Sequence, residues 1–353
     1  MRWLFPLVVT LALGAIACQS ARYQFVLDAT GTPPDQPLVW PQPPEAPRYT
    51  YLGQLLGERN FIKEQAQSPL RGALEWLTGA LFGEAAPRDL ARPQSGAVDA
   101  QGRVYVTDVS RQALFVFDRA ANQLAVWDMA EPFTRFVAPI GVAVNGAGEV
   151  FVADAELGLV ARFDGQGRHL GVLGRGFLKR PTGLAFDRDR GELYVVDTHA
   201  HDIKVYNARG DLARVIGRRG EDQEGLNFPI YAAYHNGKVY VTDSINARVQ
   251  IFSAAGDYLG SFGKRGLYVG NFTRPKGIAT DVAGRIYVVE SYYDYMLVFD
   301  PRGEFLLPLG GSGAAPGKFY LPAGVWAGPE NTIYVADMFN RRVVVFQYVG
   351  GGQ

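Results

Sequence analysis

The chain has 353 residues, 48% of them hydrophobic, and its 35 basic and 35 acidic side chains cancel to a net charge of zero. That balance argues against a general nucleic-acid or membrane-surface binder, and a single cysteine excludes a disulfide framework. Forty-two glycines, 18 tyrosines and 21 phenylalanines favour many short strands with tight turns over helices.

The first element in the chain is a leader. Met1 and Arg2 make a short basic start, Trp3 to Ile16 is almost wholly apolar, and Ala15-Ile16-Ala17 supplies small residues for cleavage. A transmembrane helix needs about 20 apolar residues, and polar Gln19, Ser20 and Arg22 follow too soon. Cleavage after Ala17 makes Cys18 the first mature residue. The arrangement resembles the lipobox of bacterial lipoproteins, although Ala15 stands where leucine is commonest. The resemblance implies a lipid on Cys18, and Gln19 in place of Asp implies outer-membrane sorting in a Gram-negative cell.

Residues 18–47 hold seven prolines and read as an extended tether, shortened by a local strand at 22–28. The domain proper spans 48–349, with 350–353 as a tail. Early in the domain, "RYTYLGQLLGERN" contains a strand. A helical insertion follows at about 68–86, with Ser68 as N-cap, Pro69 in the first turn and an apolar stripe of Leu70, Ala73, Leu74, Leu77 and Leu81.

From there one phrase recurs six times: "GRVYVTDVS", "GEVFVADAE", "GELYVVDTH", "GKVYVTDSI", "GRIYVVESY" and "NTIYVADMF". Its acidic residues are Asp108, Asp154, Asp197, Asp243, Glu290 and Asp337, at intervals of 46, 43, 46, 47 and 47 residues. Each unit reads as four short strands, the pattern of a β-propeller blade. The alternation predicts that Tyr105, Phe151, Tyr194, Tyr240, Tyr287 and Tyr334 fill the space between sheets. The sixth unit runs out of chain before its fourth strand, and Tyr51-Leu52-Gly53 matches the missing strand. The expected fold is therefore all-β: a six-bladed propeller of four-stranded blades, closed by residues 49–55 and so without open edges.

By "GKVYVTDSINARVQIF" and "NTIYVADMFNRRVVVF" the chain resembles the NHL-repeat family of six-bladed propellers over residues 48–349. That resemblance speaks to fold and little to function, since the family includes lyases, hydrolase-like relatives and binding platforms.

Three sets of residues are candidates for chemistry. Arg92, Arg180 and Arg274 precede the opening proline of alternate blades; they read either as arginines each paired with a neighbouring carboxylate or as an anion-binding collar, guanidinium being suited to carboxylate or phosphate. Together with Lys179, Arg218, Arg219, Lys264, Arg265 and Arg342 they predict a basic upper face. Asp118, Asp164, Asp187, Asp211, Asp300 and Glu304 predict a more acidic lower one. Tyr292, Tyr293, Tyr295 and Phe339 would add aromatic anchors. His199 and His201, in "DTHAHD", are the nearest thing to a metal pair, but zinc needs three or four ligands. The six repeated acids read as turn caps that accept backbone N–H groups. No cofactor is expected, and a channel calcium held by carbonyls would leave no side-chain signature. The expected function is a lipid-anchored, non-enzymatic, monomeric envelope module that binds a partner protein or anionic ligand. The alternative is a metal-dependent enzyme of the propeller lyase or lactonase type working at the central channel.

Overall fold

The computed structural model describes residues 23–33, 35–63 and 86–350. The leader, Cys18 and all but the last residue of the expected helix at 68–86 lie outside the described residues. Each of the first five repeats forms a four-stranded antiparallel meander. Blade 1 comprises Pro93–Val98, Val104–Asp108, Ala113–Asp118 and Gln123–Trp127. Blades 2 to 6 open with the inner strands Pro139–Val144, Pro181–Asp187, Pro229–His235, Pro275–Thr280 and Val325–Ala327. Blade 6 lacks a fourth strand of its own, and Tyr49–Leu55 supplies it, pairing antiparallel with Arg342–Tyr348. Tyr49 lies opposite Tyr348 and Leu55 opposite Val343.

The second-strand aromatics from Tyr105 to Tyr334 are all buried, as are Phe117, Phe163, Tyr206, Phe252, Phe299 and Phe346 on the third strands. Their period-2 spacing sends alternate side chains into the gaps between neighbouring sheets. Two of the tyrosines also satisfy their hydroxyls there. Tyr105 donates to Asp99 Oδ2 at 3.1 Å and Tyr287 to Asp281 Oδ2 at 2.7 Å.

The Pro-rich segment departs from the expected free tether. Tyr23–Phe25 pairs with Phe61–Lys63, and Val39–Trp40 adds a fifth strand outside Tyr49–Leu55. Its apolar residues explain the docking. Trp40 meets Phe346 edge-on with centroids 5.3 Å apart, Phe25 meets Phe61 at 5.4 Å, and Leu38 packs on the same core as Trp40.

Around the axis the inner strands come so close that a side chain at their contact layer would collide. A Cβ on Gly141 would lie 2.1 Å from the Thr182 carbonyl oxygen, and one on Gly324 2.3 Å from that of Gln94. This explains the Pro-x-Gly opening of four blades. Below that layer, inner strands from all six blades line a cavity of ≈ 210 Å³. The residues paired with the second-strand aromatics are Ala97, Ala143, Ala185, Ala233 and Ala279, but in blade 6 the residue is Trp326. Blade 1 makes room with Gly96, where the other blades carry larger side chains. A Cβ there would lie 2.3 Å from the Trp326 ring.

Candidate functional site at the upper mouth of the channel

The turns between second and third strands share one face of the ring, here the upper face, with the connections between blades. Each repeated acid sits at the end of a second strand and latches the connection entering its own blade. Asp108 accepts from the backbone N–H of Ala91 at 2.6 Å and Arg92 at 2.8 Å. Asp197 does the same for Lys179 and Arg180, and Glu290 for Thr273 and Arg274. They are turn caps. Burial pushes the carboxyls of Glu290 and Asp337 above their usual range, and the backbone donors partly oppose it.

At the contact layer one blade breaks the repeat. Tyr231 occupies the place that Gly141, Gly183, Gly277 and Gly324 hold elsewhere, with Ser95 in blade 1. Its hydroxyl crosses the axis from blade 4 to donate to the Gln94 carbonyl of blade 1 at 3.1 Å. Ile140 and Ile230 pack against the cluster that contains its buried ring. The channel is thus closed at the contact layer. Burial holds the Tyr231 hydroxyl far above the ordinary phenol range.

The arginine collar is lopsided. Arg180 is tied to Glu156 at 2.5 Å, so it does not stand free with the other two. Arg92 lies over the Phe339 ring, 5.5 Å from its centroid, while Arg274 makes no side-chain ion pair among the described residues. A third cation, not singled out from the sequence, joins them. Lys276 is half-buried on the inner strand of blade 5, and among the described residues its ammonium makes no hydrogen bond or ion pair. Burial first, then the guanidiniums of Arg274 and Arg92, lower its pKa against the opposing pull of Glu290.

Beside Arg274 the upper face opens into a concavity of ≈ 550 Å³ lined by Phe228, Ile230, Ile245, Tyr292, Arg265 and Arg274, with Thr198, Ser244 and Thr273. Tyr292 is 56% exposed and meets Tyr293 edge-on at 4.8 Å. Tyr295 is not a loop anchor: it begins the third strand of blade 5, opposite Glu290, and packs on the core. Phe339 is 46% exposed and rests on Tyr320.

Two other expectations need correction. Arg342 is not a surface cation, because its guanidinium is buried against Asp337 at 2.7 Å. The lower-face acids are largely neutralised within their own turns, by Arg168 on Asp164, Arg209 on Asp211 and Arg302 on Asp300 and Glu304.

His199 and His201 do not converge with further ligands. Both rings meet Phe228, His201 at 4.6 Å and His199 at 6.0 Å, and His201 Nδ1 accepts the Phe228 N–H at 3.2 Å. The neighbouring Asp197 and Asp202 are bridged by Lys204, at 2.9 and 2.7 Å. Among the described residues no group of three or more His, Cys, Asp or Glu side chains is placed to hold a metal.

A family model for the NHL repeat matches residues 178–206, the stretch from Leu178 through the inner, second and third strands of blade 3. The chain is a six-bladed β-propeller carrying an NHL repeat. No curated protein matches this propeller in sequence. Solved structures similar to it include an auxiliary nutrient binding protein from Bacteroides thetaiotaomicron, at 12% identity and a TM-score of 0.58, over 74% of this chain and 70% of that one. An auxiliary nutrient binding protein from Bacteroides ovatus matches at 16% and 0.56, over 73% and 69%. Virginiamycin B lyase from Staphylococcus aureus matches at 14% and 0.55, over 73% and 96%. Likeness at these identities shows the propeller fold and carries no activity with it.

Proposed function

We propose that this propeller is a lipid-anchored binding module of the bacterial envelope that captures an anionic partner on its upper face. The observation that carries the reading is the pairing of cations with exposed aromatics there. Among the described residues, Arg92 and Arg274 make no ion pair and lie beside Phe339 and Tyr292, whereas lower-face charges are mostly paired in their own turns. Unpaired guanidinium beside aromatic surface is a combination enriched at binding hot spots. The nutrient-binding role named for the two Bacteroides propellers is compatible with such a use.

The anchor is Cys18, and the protein belongs to the outer membrane. The direction of the chain supports this arrangement. Phe25 N–H donates to Asn122 Oδ1 at 2.7 Å, and Arg119 lies over the Phe25 ring, both partners coming from a lower turn of blade 1. The chain therefore enters from the lower rim, and a lipid before it leaves the upper face turned away from the bilayer.

Cell fractionation and partner capture test the two halves separately. Cys18→Ser should release the protein from the membrane pellet, and unchanged pelleting rejects the anchor. Arg92→Gln with Arg274→Gln should weaken crosslinking to the partner on native membranes and flatten its salt dependence. Capture with the same salt response would move the binding surface elsewhere.

A further inference from the structure

At the junction of blades 2 and 3 the repeat departs from its pattern in two paired residues. Of the six second-strand aromatics only Phe151 lacks a hydroxyl. The third-strand residue opposite it is Arg162, where the other blades place Val116, Val205, Ile251, Val298 and Val345 opposite their tyrosines. The Arg162 guanidinium lies over the Phe151 ring, 5.8 Å from its centroid, and its Nη2 donates to Glu149 Oε1 at 3.2 Å. Its Nε is buried without an acceptor. A guanidinium at an apolar position of the repeat is costly unless its donors are met.

Arg162 and Glu149 line a cavity of ≈ 130 Å³ whose apolar wall is Phe151, Phe186, Leu173 and Leu193. Phe151 and Phe186 stack across the junction with centroids 5.8 Å apart. At the junction of blades 1 and 2 the counterpart of Leu173 is Trp127, whose indole packs on Tyr105 and Phe163. Leucine in place of tryptophan leaves the space. Nη1 of Arg162 makes no hydrogen bond among the described residues. A Cβ on Gly210, which also lines the cavity, would stand 4.0 Å from it. Nη1 is therefore a donor at the cavity wall.

The volume and the charges select the occupant. An apolar cavity of about 150 Å³ holds one benzene ring. Glu149 already balances Arg162, so a carboxylate or phosphate would also meet the Glu149 charge. A purely apolar molecule would strip water from Nη1 and give nothing back. An uncharged ring with one oxygen fills the wall and accepts from Nη1. A hydroxyl can in addition donate to Glu149, whose oxygens keep lone pairs beyond their present partners.

We propose that this cavity binds a small uncharged ring compound bearing a hydroxyl or carbonyl oxygen, the oxygen on Arg162 Nη1 and the ring among Phe151, Phe186, Leu173 and Leu193. Its rim is made by Gly191, Asn207, Ala208 and Gly210 from the lower turns of blade 3. The site is thus separate from the upper face and does not depend on the reading given to that face.

Ligand-observed NMR titration of the purified protein tests it with three single-ring probes: phenol, toluene and benzoate. Phenol should bind about tenfold more tightly than toluene, the worth of one hydrogen bond from a charged donor, and more tightly than benzoate. Arg162→Val, which installs the residue of four other blades, should keep the fold and remove the preference for phenol over toluene. Leu173→Trp, which installs the residue of blade 1, should fill the cavity and abolish binding of both. It serves if the arginine variant misfolds. Toluene binding as tightly as phenol, benzoate binding more tightly than phenol, or binding of none of the three because water alone fills the cavity overturns the proposal. So does phenol binding that persists unchanged in Leu173→Trp, which would place phenol at another site.

Discussion

The hydroxyl of Tyr231 reaches across the propeller axis to the carbonyl of Gln94, 3.1 Å away in the opposite blade. One side chain therefore ties blade 4 to blade 1 and fills the narrowest part of the ring. Tyr231→Phe keeps the ring and removes one hydrogen bond, so it should cost about 1 kcal/mol in a denaturant melt. Tyr231→Gly restores the residue of the other blades and empties the axis. It should cost about 3–5 kcal/mol, as large aromatic truncations in cores do. Equal melts for the two variants would show that the ring contributes nothing beyond its hydroxyl.

Trp326 and Gly96 form a matched pair at the junction of blades 6 and 1. Gly96→Val, which puts a branched side chain where other blades tolerate one, should destabilise strongly because its Cβ would enter the indole ring. Trp326→Ala should also destabilise, by about 3–5 kcal/mol. The double variant should recover part of the Gly96→Val loss, a coupling that a thermodynamic cycle measures. Strict additivity would mean that the two positions do not compensate each other.

Acid should loosen the turn around Phe228. Burial first, then Arg219, lowers the pKa of His201 below its ordinary 6.5, and its neutral Nδ1 accepts the Phe228 N–H. The unfolded chain therefore takes up the proton more readily than the folded one. The contribution is complete above about pH 6.5 and is lost as pH falls through the lower folded value. His201→Asn should flatten that part of the pH–stability curve, and an unaltered curve from pH 7 to 5 would assign the acid sensitivity to other groups.

Two N-terminal truncations should separate closure from docking. Removal of the chain through Leu56 takes away the strand opposite Arg342–Tyr348, leaving an open edge that invites aggregation. Removal through Glu45 leaves that strand but deletes Leu38 and Trp40 from the blade 6 core. It should lower the melting temperature while keeping one cooperative transition. Identical melts for the shorter truncation and the intact chain would show that the docked segment adds no stability.

The blades and their closure were legible because both follow from counting. A fixed period with a buried aromatic in each unit places six sheets, and the missing fourth strand of the last unit can be matched to Tyr51-Leu52-Gly53. The collar was half legible. Arg92, Arg180 and Arg274 occupy equivalent places in the repeat, but Glu156, which neutralises Arg180, lies in the turn of the preceding blade, where spacing does not reveal a pair. Arg342 misled for a related reason, since its partner Asp337 is the buried latch of its own turn. Tyr231 and Lys276 were visible only as departures from Pro-x-Gly and from its apolar or neutral middle residue. Alternation shows that such a residue is odd but not whether it points across the axis or into the mouth. Docking of Leu38 and Trp40 had no periodic signal at all, because two isolated apolar residues among prolines carry no phase.

The ring is clasped by its two extremes: Tyr49–Leu55 is among the earliest parts of the domain to be made, and Arg342–Tyr348, its partner, among the last. Nearly the whole propeller must be synthesised before that strand finds its place, and contacts so distant in sequence form slowly. Until then an unpaired strand edge stays open at each end of the growing structure. A propeller sewn in this order depends on being held apart from its neighbours during its assembly, and its vulnerable moment falls before the clasp shuts.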